Sequence, residues 1–542
     1  MKITTIQNMK HLEQKANSAG LPYKQMMENA GNGLAAILLK RIGSSDRSTL
    51  IIGLVGPGNN GGDTLIALDK LATAGWHTIS FCYKRDTEKD GLCQKLKSAG
   101  GVVVSANEEA LEKILGESVY EKIFMLDGFL GTGFKLPIEP ELAGFLGKCK
   151  EIIKHKQVTV IAVDCPSGIN CANGEVDETA LKADLTVSMA AVKIGMLEFP
   201  AFDYVGEIEV VDIGLHQVLP DWDSELMDVA DPEMVAKFLP VRPNQSHKGT
   251  FGKIVILGSS TNYCGAVLLA ARAAYRTGSG LVTLGVTDPV YSVIAGQLPE
   301  ATWIILPGDL GNISEDAVNI IHKQTRGYDA ILLGLGMGLS DRTVKFVQTY
   351  ISSFKNKNVQ HLGFIKDDGE VKSKEQLLQP HIVIDADALK CLAKIKEWWK
   401  LLSNDVVLTP HPGEMSILTG LSIKEIQSDR IGIAKRFSQQ WKKVVVLKGA
   451  VTVIASTDEK VCVIPAATSA LAHAGTGDVL SGMITSLLAQ GVPSYEAAIV
   501  GSYLHAQAGM AAVPIVGCED SVMAMDVIEQ VGRVIGKLRL KK

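Results

Sequence analysis

The residues with the clearest chemical potential are Gly475, Thr476, Gly477 and Asp478, which precede an apolar helical pattern. Apolar side chains then recur at helical spacing: Val479, Leu480, Met483, Ile484, Leu487 and Leu488. The glycines would let N–H groups at the positive end of this helix approach a phosphoryl group. Asp478, in the same turn, could take a proton from an attacking hydroxyl. The pattern predicts a phosphoryl-transfer turn, and a plain glycine-rich helix cap is the alternative.

Three loops in the first half also carry polar residues, and each follows an apolar run typical of a buried strand. They read GPGNNGGD (56–63), DGFLGTGFKLP (127–137) and DCPSG (164–168). Amide and carboxylate oxygens in the first loop could bind a polar ligand or a hard cation. The alternative is a turn in which Asn, Gly and Asp satisfy their own backbone.

The glycines Gly56, Gly58 and Gly61 formally match the dinucleotide fingerprint, which expects an acidic residue at the end of the second strand. Here Lys84 and Arg85 end that strand. The sequence therefore gives little support for a hydride-transferring dehydrogenase.

The second half has its own polar loops, which read GLGMG (334–338), DADAL (385–389) and LTPHPGE (408–414). The first could be only a turn, and Asp385 or Asp387 could be only an N-cap. His411 lies between two prolines at a strand end, a position that favours a ligand contact over a structural role.

The elements that position these loops alternate between apolar strands and helical segments throughout both halves, as in parallel α/β sheets. Helices are expected at 26–39, 64–74, 231–238 and 266–277. The periodicity lapses between residues 220 and 247, and we place a domain boundary near residue 225. The prediction is an α/β protein of two domains, 1–225 and 226–542.

The bulk composition excludes several classes of protein. The 542 residues are 46% hydrophobic and 21% charged, with a net charge of −5, which gives no electrostatic case for nucleic acid or an anionic membrane as main partner. The nine cysteines contain no C-x-x-C pair, which suits a reducing cytosol. The N-terminus lacks a signal peptide core, and no run reads as apolar enough to cross a bilayer. We expect a cytoplasmic homo-oligomer that acts on small molecules.

The motifs GPGNNGGD, LDGFLGTGF, VDCPSG and VKIG (192–195) together resemble the NAD(P)H-hydrate epimerase family, over nearly all of residues 1–220. The resemblance implies a Rossmann-like doubly wound sheet. It implies substrate contacts at Asn59, Asn60, Gly61, Gly62, Asp63, Gly131, Thr132, Gly133, Phe134, Lys135, Leu136, Pro137 and Asp164. It also implies a potassium ion held by Asn60, Asp127 and Ser167. Either Asp164 or Lys193 would be the acid–base group, because epimerisation at C6 opens and recloses a hemiaminal-like centre.

LTPHPGE, DADAL, KGAVT (448–452) and AGTGDVLSG (474–482) resemble the ribokinase-like superfamily, and within it the ADP-dependent NAD(P)H-hydrate dehydratases, over about residues 240–540. The resemblance implies that Ala266, Gly336, His411 and Asp478 contact the hydrate. It implies an adenine nucleotide at Lys448, Gly449, Ala450, Val451, Thr452 and Gly477, with Mg²⁺ on its phosphates. Asp478 would then activate the C6 hydroxyl for phosphorylation.

Three positions depart from the family pattern. Thr64 replaces a common glycine, Cys165 replaces a common Ile, and Thr468 or Ser469 stands where an Asn is frequent. We expect altered packing at the first two and altered nucleotide contacts at the third.

The leading hypothesis is a fused repair enzyme that interconverts the R and S hydrates of NADH and NADPH and dehydrates the S form with ADP, releasing AMP and phosphate. One alternative is a vitamin-precursor kinase that uses Asp478 in the same way. Another is that the first domain is a non-catalytic binding or scaffold domain. The sequence itself does not distinguish ADP from ATP as donor.

Overall fold

The structure is a computed structural model, and it describes residues 1–43, 48–116, 120–224, 226–354, 380–403 and 405–540. The chain divides into two compact units, Met1–Met227 and Asp228–Lys542. The division falls two residues beyond the predicted boundary, and residue 225 itself lies outside the described residues. The prediction of two α/β units is confirmed.

Within residues 1–43, 48–116 and 120–224, the first unit contains nine strands and seven α-helices. Its strands are β1 (Lys2–Thr4), β2 (Thr49–Val55), β3 (His77–Cys82), β4 (Val102–Ser105), β5 (Lys122–Gly128), β6 (Val158–Val163), β7 (Leu185–Met189), β8 (Val192–Lys193) and β9 (Glu207–Val211). Its helices are α1 (Ile6–Ser18), α2 (Tyr23–Ile42), α3 (Asn59–Thr73), α4 (Gly91–Ser98), α5 (Glu108–Gly116), α6 (Pro140–His155) and α7 (Phe202–Val205).

Seven of these strands form a parallel sheet in the order β4-β3-β2-β5-β6-β7-β9. The strand order reverses direction at β2, which has β3 on one side and β5 on the other. Ligand crevices of open α/β sheets form at such a switch point, outside the carboxyl ends of the strands. The loops after β2, β5 and β6 all open there. Separately, β1 pairs with β8, and this register puts Thr4 opposite Lys193.

Helix α3 differs from its prediction. It was expected to begin at Thr64, after a polar loop, but it begins at Asn59, with Gly58 as its N-cap. A Cβ on Gly61 would lie 2.0 Å from the carbonyl oxygen of Gly56, so only glycine allows this helix to start so close to the strand. The polar residues of GPGNNGGD therefore belong to the first turns of a helix.

The second unit contains twelve strands and twelve α-helices among the residues that the structure describes, and its first strand begins one residue before Asp228. Its strands are β10 (Met227–Val229), β11 (Lys253–Leu257), β12 (Leu281–Thr287), β13 (Thr302–Leu306), β14 (Gly308–Asp309), β15 (Asn312–Ile313), β16 (Ala330–Leu333), β17 (His381–Ile384), β18 (Val406–Leu408), β19 (Val444–Leu447), β20 (Thr452–Ala455) and β21 (Val461–Ile464). Its helices are α8 (Pro232–Phe238), α9 (Ala266–Thr277), α10 (Asp288–Ile294), α11 (Ala317–Gln324), α12 (Asp341–Ser353), α13 (Asp387–Leu392), α14 (Pro412–Thr419), α15 (Ile423–Ser428), α16 (Arg430–Trp441), α17 (Thr476–Ala489), α18 (Ser494–Val516) and α19 (Ala524–Arg539).

The main sheet of this unit runs in the order β13-β12-β11-β16-β17-β18-β19-β20-β21-β10. Strands β13 to β19 are parallel in this order, whereas β20 is antiparallel to both β19 and β21. The segment KGAVT is thus the turn of an antiparallel hairpin, which the apolar run around it does not reveal. Helix α17 packs tightly on α9, since a Cβ on Gly482 would lie 2.3 Å from the carbonyl oxygen of Ala270.

Helix α18 departs from the expectation that no run is apolar enough to cross a bilayer. By length and composition it meets that criterion, alone among the described helices. However, 61% of its most apolar window is buried inside the protein, as in the core helix of a folded domain.

Candidate active sites

In the first unit, the three residues predicted as potassium ligands belong to one hydrogen-bonded network. The Asp127 carboxylate accepts hydrogen bonds from Ser167, at 2.8 Å from its backbone N and 2.5 Å from its Oγ. Ser167 Oγ in turn accepts from the backbone N–H of Leu130 at 2.9 Å. The Asn60 amide nitrogen donates to the carbonyls of Val163, at 2.6 Å, and Leu130, at 3.3 Å. The network ties together the loops after β2, β5 and β6.

This network leaves oxygens that a hard cation could use. Asn60 donates through its nitrogen, so its Oδ1 remains an acceptor, and Asp127 is fully buried. Burial raises the pKa of the Asp127 carboxyl, and the hydrogen bonds from Ser167 oppose that shift. A cation with oxygen ligands would compensate such a buried charge, so the donor set fits the predicted ion. Among the described residues, no group of three or more His, Cys, Asp or Glu side chains is arranged for a metal.

Asp164 and Lys193 form a buried ion pair beside the loop after β6. Lys193 Nζ donates to Asp164 Oδ1, to Ser188 Oγ at 3.1 Å and to the Met189 carbonyl at 3.1 Å. Burial acts to lower the pKa of the Lys193 ammonium, but the Asp164 carboxylate outweighs it, and the pKa lies above its ordinary value. Because the ammonium has only three N–H donors, all are engaged. Lys193 therefore stays charged and holds Asp164 in place.

Asp164 has an unusual backbone. Its φ is 66°, in the left-handed region, where a non-glycine residue is strained. The Met189 N–H donates to Asp164 Oδ1 at 2.9 Å, so that oxygen is the one held by the protein. Asp164 also lines a cavity of about 670 Å³ in the first unit.

The cavity collects part of the predicted substrate set. Asn59, Asn60, Asp63, Gly131, Thr132, Gly133, Phe134, Asp164 and Lys193 line it. Five of the predicted substrate residues do not line it: Gly61, Gly62, Lys135, Leu136 and Pro137. Gly61 and Gly62 pack closely on their neighbours, because a Cβ on Gly62 would lie 2.6 Å from the sulfur of Met27.

Two carboxyl groups in the cavity have raised pKa values. Burial, together with the Asp164 carboxylate, raises the pKa of Asp63 well above its usual value. Burial and Asp164 also raise the pKa of Glu13, against the lowering effect of Lys193 and Lys10. Glu13 and Lys10 lie on α1, outside every motif, and sequence reasoning missed them. The sequence feature that could have identified them is the spacing of Ile6, Met9, Lys10 and Glu13, which places all four on one helical face.

In the second unit, the predicted phosphoryl-transfer turn forms the start of α17. Gly475 is the N-cap with a φ of 89°, and Thr476, Gly477 and Asp478 are the first three residues of the helix. The place of a Cβ on Gly477 is 3.5 Å from Lys448 Nζ. The hairpin turn after β19 therefore points an ammonium at the N-terminus of α17, and both features attract a phosphate.

Lys448 is surrounded by carboxylates. Its Nζ lies 2.7 Å from Asp385 Oδ1 and 3.9 Å from Glu414 Oε2. Asp385 also accepts a hydrogen bond from Ser481 on α17 and one from the Ala386 N–H at 2.7 Å. Neither Asp385 nor Asp387 caps α13, whose N-cap is Ala386. The capping alternative for DADAL is wrong, and Asp385 instead joins β17 to Lys448 and α17.

Asp478 and Glu414 both have strongly raised pKa values. Burial and the Asp385 carboxylate raise the pKa of Asp478 to about 7, and Lys448 opposes this shift. Burial raises the pKa of Glu414 to about 7 as well, with Lys448 opposing it and Asp385 reinforcing it. A carboxyl with such a pKa accepts a proton near neutral pH far more readily than a free aspartate, which suits a general base.

His411 is the N-cap of α14, and its side chain is also accessible to a ligand. Its Nδ1 accepts hydrogen bonds from the N–H groups of Gly413, at 3.0 Å, and Glu414, at 3.3 Å. The ring proton is thereby assigned to Nε2, which is 3.3 Å from Glu414 Oε1. Burial and the ammonium groups of Lys448 and Lys390 lower the pKa of the ring. About half of the side chain, 52%, is exposed and accessible to a ligand.

The nucleotide segment KGAVT is organised by an arginine that sequence reasoning missed. The Arg430 guanidinium donates to the carbonyls of Leu447, at 3.0 Å, Lys448, at 3.2 Å, and Val451, at 3.0 Å. A Cβ on Gly449 would lie 2.5 Å from the same guanidinium nitrogen. Arg430 thus fixes the shape of the turn from behind, and no motif in the sequence signals it.

Ala266 and Gly336 lie side by side. Gly336 has a φ of 57°, and its Cβ position would be 3.0 Å from the Ala266 Cβ and 2.7 Å from the Tyr263 Cβ. The turns after β11 and β16 therefore meet at the strand-order reversal of this sheet, which is the place expected for a ligand.

The structure accounts for two of the three departures from the family pattern. Thr64 is fully buried, and its hydroxyl donates to the Asn60 carbonyl at 2.7 Å. Thr468 and Ser469 both donate hydrogen bonds to the carboxylate of Glu519. Cys165 is fully buried, and nothing further in the structure explains it.

Comparison with known families accounts for both units. Residues 254–531 match the family described as NAD(P)H-hydrate dehydratase, and residues 23–195 match the family described as YjeF-related protein N-terminus. The chain is 32% identical over 512 residues to the bifunctional NAD(P)H-hydrate repair enzyme Nnr of Dictyoglomus turgidum, covering 93% of each chain. It is 30% identical over 548 residues to the enzyme of the same name from Moorella thermoacetica, covering 99% of this chain and 97% of that one.

A solved structure also resembles part of this chain. It is the ADP/ATP-dependent NAD(P)H-hydrate dehydratase of Bacillus subtilis, co-crystallised with ATP and Mg²⁺. It is 28% identical, has a TM-score of 0.47, and covers 58% of this chain and 99% of its own. Because the relatives named above are similar over both units, the vitamin-precursor kinase with a scaffold domain is not favoured.

Proposed function

This chain belongs to the family of bifunctional NAD(P)H-hydrate repair enzymes, and we propose a division of labour between its two units. Residues 1–225 interconvert the R and S hydrates of NADH and NADPH. Residues 226–542 dehydrate the S form with ADP and release AMP and phosphate. The observation that carries the proposal is the convergence of Asp478, Lys448 and the start of α17 on one point in the second unit.

In the first unit, Asp164 is the base and Lys193 is a positioning residue. All three donors of Lys193 are engaged, and its raised pKa keeps it protonated, so it has no site for a substrate proton. Asp164 lines the cavity, and its Oδ1 is held by Lys193 and the Met189 N–H. Its second oxygen takes the proton of the C6 hydroxyl when the hydrated ring opens. A buried ion pair at the wall of a cavity supports a catalytic first unit over a scaffold domain.

A potassium ion is proposed for the network below this cavity. Asn60, Asp127 and Ser167 would hold it through oxygen atoms, which are the ligands that hard cations prefer. When bound, it would neutralise the buried Asp127 carboxylate and stabilise the negative charge of the substrate nearby. Asn60 and Ser167 keep the loops after β2, β5 and β6 in register around the substrate.

In the second unit, the C6 hydroxyl is activated by phosphorylation. Asp478 takes the hydroxyl proton while the oxygen attacks the terminal phosphate of the nucleotide. The N–H groups at the start of α17 and the Lys448 ammonium stabilise the charge that develops on the phosphoryl oxygens. The ring nitrogen then expels phosphate, and C5 loses a proton, which restores the dihydropyridine. Mg²⁺, if bound with the nucleotide, would neutralise phosphate charge.

The contacts around both turns support the proposed ligand positions. Ala266, Gly336 and His411 would line the hydrated ring, and the turn that contains Lys448, Gly449, Ala450, Val451 and Thr452 would hold the nucleotide. Arg430 acts behind that turn as a positioning residue. Gly477 has no side chain, so a phosphate can approach both Lys448 and the helix N-terminus.

The direct test is to incubate the protein with mixed R and S hydrates, Mg²⁺, and either ADP or ATP, and to follow the absorbance band of reduced nicotinamide. We expect recovery of the band with stoichiometric release of AMP and phosphate when ADP is the donor. Recovery with neither nucleotide contradicts the proposal. A stable phosphorylated product without phosphate release would instead support a kinase.

A further inference from the structure

Helix α1 forms one wall of the cavity in the first unit, although it lies outside every motif. Four of its residues line the cavity: Ile6, Met9, Lys10 and Glu13. Their spacing of three, four and seven residues places them on a single helical face. Glu13, the one carboxylate in this set, therefore faces the space that Asp164 faces.

The pairing of β1 with β8 fixes where α1 begins. Thr4 lies opposite Lys193, and the helix starts at Ile6, capped by the Thr5 hydroxyl, which accepts from the Asn8 N–H at 3.1 Å. Glu13 is then about 10 Å along the helix from its start. The strand pair thus ties the helix that carries Glu13 to the residue that holds Asp164.

Two carboxyl groups around the cavity, Glu13 and Asp63, have raised pKa values and are suited to keep a proton. The carboxyls of Glu13, Asp63 and Asp164 line it, and the Lys193 ammonium is already paired with Asp164. Burial, followed by the Asp164 carboxylate, raises the pKa of Glu13. Asp63 is only 5% exposed, in the first turns of α3, whereas Glu13 is half-buried on a separate wall. Glu13 is better placed to reach a second atom of the ring.

We propose that Glu13 is the general acid of the epimerisation and protonates the ring nitrogen while Asp164 takes the C6 hydroxyl proton. This assignment rests on the proposed epimerase function of the first unit. A carboxyl on α1 and a carboxylate after β6 come from different elements, so they can address two atoms of the same ring. The arrangement matches the general rule that acid and base differ in environment.

Epimerisation opens and recloses the ring with two proton transfers in each direction. Asp164 removes the hydroxyl proton, the oxygen's electron pair forms C6=O, and the C6–N1 bond breaks. The electrons of that bond go to N1, which receives the proton of the Glu13 carboxyl. Rotation about C5–C6 presents the other face of the aldehyde, and N1 attacks it. Glu13 then takes the proton back from N1, and Asp164 returns its proton to the oxygen.

The test follows equilibration of the purified S hydrate to the R and S mixture by chromatography, without ADP, so that the second unit is silent. We expect Glu13→Gln to lower kcat about 100-fold with KM changed less than about threefold, as for loss of a general acid. Glu13→Asp should keep a measurable part of the rate. The matched control is Glu109→Gln, an exposed glutamate on α5 that does not line the cavity.

A kcat for Glu13→Gln within threefold of wild type contradicts the proposal, as does a raised KM with unchanged kcat. If Glu13→Gln unfolds at a lower temperature than Glu109→Gln, the deciding variant is Glu13→Ala with added formate. Restored kcat supports the assignment, and no restoration contradicts it. If wild type itself does not equilibrate the hydrates above the buffer rate, the proposed epimerase function fails instead.

Discussion

The ammonium of Lys448 lies 2.7 Å from the carboxylate of Asp385, which also accepts a hydrogen bond from Ser481 on the helix that begins with Asp478. One buried carboxylate therefore joins β17, the hairpin turn after β19 and α17. Removing either partner would leave an uncompensated charge beside the phosphate position.

Asp385→Asn should lower dehydration of the S hydrate about 100-fold and raise the KM for the nucleotide. The reason is that Lys448 loses its principal partner and its orientation toward Gly477. Steady-state kinetics with varied ADP checks this, and Lys424→Met, at an exposed position on α15, serves as a control for general loss of stability. Unchanged kinetics in Asp385→Asn would show that Lys448 is held by other contacts.

Asp478→Ala should abolish dehydration, by about 1000-fold, with nucleotide affinity largely kept. The carboxylate is proposed to act on the hydroxyl, whereas the nucleotide is held by the turn after β19 and the helix N–H groups. Turnover and calorimetric titration with ADP and Mg²⁺ measure the two effects separately. The control is Asp316→Ala, an exposed residue that makes no capping hydrogen bond. Near-normal turnover would remove Asp478 from the mechanism.

The rate of dehydration should rise with pH through a midpoint near 7. Burial and Asp385 raise the pKa of Asp478 to about 7, so the base is protonated and inactive below that pH and active above it. A pH profile of kcat/KM for the S hydrate checks this. Because the pKa of Glu414 is also raised to about 7, the profile of Glu414→Gln distinguishes the two groups. An acidic limb near 4 would contradict the assignment.

Asp478→Asn should also stabilise the second unit increasingly as pH rises from 5 to 8. A carboxyl whose folded pKa is raised binds its proton more tightly in the folded state than in the unfolded state, so its ionisation destabilises the fold as pH rises through 7. The amide does not ionise. Thermal unfolding at the two pH values measures the difference between variant and wild type. A difference that is the same at pH 5 and pH 8 would contradict the raised pKa.

Lys193→Met should lower the rate of R-hydrate turnover and destabilise the first unit by about 3 kcal/mol, because it leaves Asp164 buried without its partner. Denaturant unfolding and the R-hydrate assay measure the two effects. Lys182→Met, at an exposed position, is the matched control. Full activity in Lys193→Met would mean that the hydrogen bonds from the Met189 N–H and the Ser188 hydroxyl are enough to orient Asp164.

Much of the fold followed from local pattern. The continuous apolar runs that precede the polar loops, such as Thr49–Val55 and Val158–Val163, are strands, because a buried parallel strand needs apolar residues on both faces. The turn before Val479 was also recognisable, since glycines and an acidic residue immediately precede a helical pattern. Each of these signals is contained in a few consecutive residues.

What the sequence did not show depends on distant contacts. The early start of α3 follows from the approach of Gly61 to Gly56, and no local propensity favours a helix that contains two glycines in its first turns. Glu13 reaches its cavity through the pairing of β1 with β8, which are far apart in sequence. Arg430 acts on a turn seventeen to twenty-one residues later. Local spacing shows which residues share a helical face, but it does not show which distant segment that face contacts.

The most direct test of the two-unit account is the amplitude of recovery from mixed R and S hydrates with ADP and Mg²⁺. We expect wild type to convert the whole mixture to NAD(P)H. Asp164→Ala should convert the S fraction, and its R fraction should react no faster than uncatalysed epimerisation allows. Asp478→Ala should convert neither fraction. Full conversion by Asp164→Ala at the wild-type rate, or any recovery by Asp478→Ala comparable to wild type, would contradict the account.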